Sequence, residues 1–97
     1  MQVLNGIIIK LRQNRPEITR RFQMQSLSLF GSFVQGRPRK KSDLDILVEF
    51  LEPPSFFEFL ALERHLSELL NVKVDLVMKD ALKPAIGKRV LAEAIAV

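Results

Sequence analysis

The sequence predicts a small α/β domain, a mixed sheet backed by helices, on three observations. Helical and two-residue hydrophobic periodicities follow one another in the order helix, short helix, strand, strand, helix, strand, helix. Two of the strands, 43–50 and 72–78, each carry one fully apolar face. The 97 residues, 47% of them hydrophobic, allow one core and not two, so residues 1–97 are expected to form a single domain.

Val3, Leu4, Ile7, Ile8 and Leu11 recur at three- and four-residue steps and predict an amphipathic helix that ends at Asn14-Arg15-Pro16. Pro16 suits the first turn of a second, short helix to about Phe22, with Ile18 and Phe22 on one face. Ser26 to Phe30 alternates and stops at Gly31, as a strand entering a tight turn does. Gly36 to Ser42 is a basic loop with turn residues and no periodicity. Asp43 to Phe50 is a strand with Leu44, Ile46, Val48 and Phe50 on one face. Ser55-x-x-Glu58 is a capping box that opens a helix ending at Asn71, with Phe56, Phe59, Leu60, Leu66, Leu69 and Leu70 expected to point inward. Val72 to Met78 is the third strand. Asp80 is expected to cap a last helix, interrupted near Pro84, with Ile86, Val90 and Ala94 at four-residue steps.

The composition removes several classes of chemistry. With no cysteine, disulfides, thiolate zinc sites and a cysteine nucleophile are excluded, and one His, at position 65, cannot build a histidine-rich metal site. His65 reads as a surface residue. No apolar stretch approaches the roughly 18 to 20 residues that cross a bilayer. The start of the chain lacks the basic region of a signal peptide, so a cytoplasmic protein is expected. A formal net charge of +4 favours an anionic partner. The Phe residues, with no Tyr or Trp, read as core filling, which disfavours sequence reading of nucleic acid.

Asp43, Asp45 and Asp75 stand on the faces of their strands opposite the apolar ones. Asp43 and Asp45, two residues apart, project on the same side, about 6.5 to 7 Å apart along the strand. Bare carboxylates this close repel, and Mg²⁺ or Mn²⁺ removes the repulsion because hard cations prefer carboxylate and phosphate oxygens. If Asp75 lies in register on a neighbouring strand, the three acids form a floor for two metals, about 3.5 to 4 Å apart. The pattern alone fits equally well a turn cap at Asp43 and solvated residues at Asp45 and Asp75. Upstream, Gly31-Ser32 follows a strand and can offer backbone N–H groups and a hydroxyl to a phosphate, with Gly31 permitting close approach. By itself Gly-Ser is a common turn. Arg37, Arg39, Lys40 and Lys41 could steer a triphosphate or RNA, although charged loops are usually just solvated.

Gly31-Ser32, Gly36, then Ser42-Asp43-x-Asp45 on an apolar strand and a lone Asp75 on a later one resemble the polymerase-β-type nucleotidyltransferase superfamily. More narrowly, the chain resembles the minimal nucleotidyltransferases found beside HEPN-domain partners in toxin–antitoxin pairs, and the likeness covers nearly its whole length. The resemblance implies a polymerase-β-type core and Mg²⁺-dependent transfer of AMP from ATP, with Asp43, Asp45 and Asp75 as ligands of two metal ions. It implies that Gly31 and Ser32 grip the triphosphate and that the acceptor is a hydroxyl, a tyrosine in such pairs, of a HEPN-type toxin. Many relatives carry Arg immediately before the second glycine, where this chain has Gln35. An antitoxin acting by contact alone is the alternative, and a basic nucleic-acid-binding module is third. So short a chain is expected to share its substrate site with another chain, with the homo- or hetero-oligomeric state left open.

Overall fold

A computed structural model describes residues 2–36 and 43–97. The basic-loop residues Arg37, Arg39, Lys40, Lys41 and Ser42 lie outside the described residues.

The first element, α1 (Gln2–Phe22), is one helix of 21 residues that runs through Pro16. The expected break at Asn14-Arg15-Pro16 is therefore corrected. A proline inside a helix costs about 3 kcal/mol, while each Leu or Ile buried on the far side of a break is worth about 1.5 to 3 kcal/mol. Ile7, Leu11 and Ile18 share one face and are all buried, so the stripe is kept only if the helix stays continuous. Pro16 and Arg12 are exposed, so water can reach the carbonyl that Pro16 leaves without its usual donor. Gln23, at φ 54°, turns the chain into β1 (Met24–Phe30).

β1 pairs antiparallel with β2 (Leu44–Phe50), with a bulge between Met24 and Ser26. Next come α2 (Phe56–Leu70) and β3 (Val74–Met78), which lies parallel to β2. A 3₁₀ turn at Lys79–Ala81 leads to α3 (Pro84–Glu93) and then β4 (Ile95–Ala96), antiparallel to β1. The sheet is mixed, in the order β3-β2-β1-β4, as the α/β expectation requires. Leu27, Leu29, Leu44, Ile46, Val48, Val74 and Leu76 meet Ile7, Leu11 and Ile18 of α1 and Leu62 and Leu66 of α2 in one core.

The capping box forms: Glu58 N–H donates to Ser55 Oγ at 3.1 Å and Ser55 N–H to Glu58 Oε1 at 3.2 Å. Asn71 ends α2 in the left-handed region, at φ 53°. The inward face of α2 differs from the expected one. Leu66 is buried and Phe59, Leu69 and Leu70 pack against the core, but Phe56 and Leu60 are exposed and Leu62 is buried instead. Leu60 stands about 200° around the helix from Leu62, so both cannot face the sheet. Phe56 and Phe57 form an exposed edge-to-face pair, at 70% and 81% exposure, so core filling does not describe every Phe.

Asp80 does not cap the last helix; it sits in the 3₁₀ turn, and α3 starts at Pro84 with Lys83 as an N-cap that makes no side-chain bond. Proline is pre-set for the first helical position and pushes the residue before it into extended backbone, as found at Lys83 (φ −65°, ψ 146°). Of the expected α3 face, Ile86 is exposed and Ala94 lies past the helix end, while Gly87 is the buried position. His65 is half-buried on α2, with its ring 5.5 Å from that of Phe22. No helix among the described residues is long and apolar enough to cross a membrane.

Candidate active site

The parallel β2–β3 pairing sets Asp45 directly opposite Asp75. Neighbouring strands lie about 4.8 Å apart, so the two carboxyl groups are brought together by backbone register and not by side-chain reach. Both residues alternate with core positions: Leu44 and Ile46 flank Asp45, and Val74 and Leu76 flank Asp75, all four buried. Burial of the flanking residues therefore fixes the acids on the opposite face.

Asp45 shows the electrostatic consequence. Its pKa is raised to about 6, first by burial, then by the charges of Asp75 and Asp43, and by a hydrogen bond with the Asp75 carboxyl. Asp43 lies one residue before β2, and its Oδ2 stands 3.8 Å from Lys73 Nζ. Asp45 and Asp43 are half-buried and Asp75 is exposed.

Gly31 closes the site from β1. Its φ is +79°, a region that only glycine enters freely, and a Cβ placed on it would lie 2.9 Å from Cγ of Asp45. Approach to a phosphate is one reason for a glycine at position 31; the fold adds a second, because the Asp45 carboxylate occupies the space where a side chain would go. Ser32 opens the turn that follows and is half-buried. That turn is held by Gln35 N–H donating to Gly31 O at 3.1 Å and by Gly36 at φ 75°. Gln35 Nε2 donates to Glu93 Oε2 at 3.0 Å, which ties the turn to the end of α3.

Two features escaped the sequence reading. Lys73 pairs with Asp43, a contact that follows only once the parallel register is known. Leu47, between Asp45 and Glu49 on the acid face, is 3% exposed although it stands outside the main core cluster. Leu47 is thus buried on the acid face, while Asp75 on the neighbouring strand is exposed. A groove of about 390 Å³ between α1 and the end of α2 is mainly apolar and holds none of the acids.

The residues fit a divalent cation in donor chemistry: all three side chains offer hard oxygens, and the mutual repulsion at Asp45 is the kind a cation relieves. Among the described residues no three His, Cys, Asp or Glu side chains already stand at metal-holding spacing. The Asp43 carboxylate is engaged by Lys73 instead.

Comparison with known proteins agrees with this arrangement. Residues 8–97 match the family described as polymerase beta, nucleotidyltransferase. The chain is 43% identical over 95 residues to the protein adenylyltransferase MntA of Thermococcus cleftensis, covering 98% of this chain and 96% of that one. A solved structure assigned as a minimal nucleotidyltransferase superposes with a TM-score of 0.75 at 36% identity, over 90% of this chain and 92% of the other. A toxin–antitoxin structure with AMP-PNP gives a TM-score of 0.67 at 29% identity, over 95% and 69% of the two chains. A complex of a tri-AMPylated Shewanella oneidensis HEPN toxin with an MNT antitoxin gives 0.60 at 28%, over 99% and 71%. With the glycine–serine turn packed on paired acids and the match running over residues 8–97, the chain is a nucleotidyltransferase and belongs to the polymerase β family of these enzymes.

Proposed function

We propose that the protein acts in the cytoplasm as an antitoxin, as one domain over residues 1–97, transferring AMP from ATP to a tyrosine hydroxyl of a HEPN-type toxin. The observation that carries the reading is the Asp45–Asp75 register beside Gly31. The AMP-PNP and tri-AMPylated toxin complexes of its structural relatives support the nucleotide and the acceptor class. The chain has no Tyr, so a tyrosine acceptor lies on another protein.

Asp43, Asp45 and Asp75 would hold two Mg²⁺ ions. Bound there, the cations neutralise triphosphate charge and favour the ionised acceptor. Gly31 leaves room for phosphate oxygens, and the Ser32 hydroxyl donates to the β- or γ-phosphate. The acceptor oxygen forms a bond to the α-phosphorus as the bond from that phosphorus to the bridging oxygen breaks, and pyrophosphate departs. Asp75, the most exposed of the three acids, receives the hydroxyl proton.

A second reading, neutralisation by contact alone, is favoured by Gln35, which stands where many relatives carry Arg and is tied to Glu93 within the chain. One experiment separates the two. The HEPN-type toxin mixed with this protein, Mg²⁺ and ATP is expected to gain one or more adenylyl masses. Asp45→Asn is expected to abolish the gain while the complex still forms. A toxin fully inhibited on binding with no gain in mass overturns the enzymatic reading and establishes the contact-only one.

A further inference from the structure

β3 is an edge strand, bordered by β2 on one side only. Successive peptide groups of a strand point alternately to its two sides, so the amides that flank Asp75 face away from β2. Both are taken by α2. Ser67 Oγ accepts from Val74 N–H at 3.1 Å, and Glu63 Oε2 accepts from Leu76 N–H at 2.9 Å; both contacts are partly buried. Glu63 and Ser67 stand four apart on the helix, one turn of rise, so a single face of α2 meets two alternate amides of the strand. The Ser67 carbonyl also accepts from Val72 N–H at 3.3 Å, which fixes the entry to β3.

From this geometry we infer that Glu63 and Ser67 are positioning residues for Asp75. They clamp the outer edge of β3 on either side of it, so that its carboxylate keeps register with Asp45. The inference rests on the proposed reading of Asp75 as a metal ligand. An edge strand held from one side only can shift or fray, and each such motion carries Asp75 away from Asp45. The Glu63 bond is charge-assisted and therefore the stronger of the two.

The test measures Mg²⁺-dependent binding of ATP to the whole chain by calorimetry, together with exchange of the Val74 and Leu76 amides. Glu63→Ala is expected to raise the half-saturating Mg²⁺ concentration about 10-fold or more, the usual cost of losing a residue that orients a ligand. Exchange at Leu76 should accelerate in the same variant. Glu63→Gln keeps an acceptor oxygen and is expected to restore both values to near wild type. Ser67→Ala should act in the same direction, and more weakly. Ile18→Val, a mild core change on α1, serves as a stability control and should leave the Mg²⁺ requirement unchanged. If Glu63→Ala does not fold, Ser67→Ala and Glu63→Gln carry the same comparison. An unchanged Mg²⁺ requirement in the Ala variants, or a Gln variant as impaired as Ala, overturns the positioning role. Wild-type protein that binds no ATP with Mg²⁺ overturns the underlying metal-site reading instead, and the exchange data still report whether the edge is clamped.

Discussion

At Asp45 the fold carries a carboxylate whose pKa is raised to about 6, first by burial and then by Asp75 and Asp43, so the ionised form is disfavoured in the folded chain. A raised pKa contributes stability that is whole below the ordinary value of 3.8 and is lost as pH climbs through about 6. The metal-free protein is therefore expected to melt at a lower temperature near neutral pH than in mild acid. Asp45→Asn should flatten that profile and raise the melting temperature at about pH 8, while abolishing Mg²⁺-dependent ATP binding. Thermal melts across this range, with calorimetry of ATP binding, check it; a variant with the wild-type slope would mean that the acids are ordinary surface groups. A residue whose removal stabilises the fold and removes ligand binding is one kept for function. The placement of the acids was legible in the sequence, because Asp is a poor strand residue and Asp43, Asp45 and Asp75 all stood opposite apolar faces. The contact between Gly31 and Asp45 was not legible, since it depends on the antiparallel register that pairs Phe30 with Asp45.

Among the elements, α1 shows where local rules yield to packing. Pro16 marks a break by every local criterion, yet Ile18 beyond it is needed in the same core as Ile7 and Leu11, and the helix runs on. Pro16→Ala is expected to stabilise the protein by about 1 to 3 kcal/mol, restoring a backbone donor at the cost of a looser unfolded chain. Chemical denaturation measures this, and a loss of stability would show that the proline's fixed φ matters more than the missing bond. The capping box at Ser55 was legible because its partners are three residues apart; so was the end of α2 at Asn71. The start of α3 was misread at Asp80 because a cap residue is common, whereas Pro84 had the stronger claim through its own ring geometry. β4 escaped because two residues carry no periodicity.

Across the whole molecule, the two edges of the sheet are closed by different helices, and the site lies nearer to one of them. α2 side chains cover β3, beside Asp75, whereas α1 holds the far edge. There Arg12 donates to Ala96 O at 3.3 Å and Arg15 to Gln25 O at 3.2 Å and to Val97 O, while Val97 N–H reaches Leu27 O at 3.0 Å. Such a short strand gains little from its own pairing, and the arginines add to the anchorage that burial of Val97 in the core provides. Arg15→Ala removes two acceptor contacts from a partly buried guanidinium and is expected to cost about 1 to 3 kcal/mol. Amide exchange should rise at Val97, the β4-side amide that bonds β1, and stay unchanged at Val74 and Leu76. Because β1 and β2 stand between this edge and Asp75, the Mg²⁺-dependent affinity for ATP should remain that of the wild type. An affinity that falls together with stability would show that the sheet transmits strain from β4 to the acids, and that its two edges are not independent.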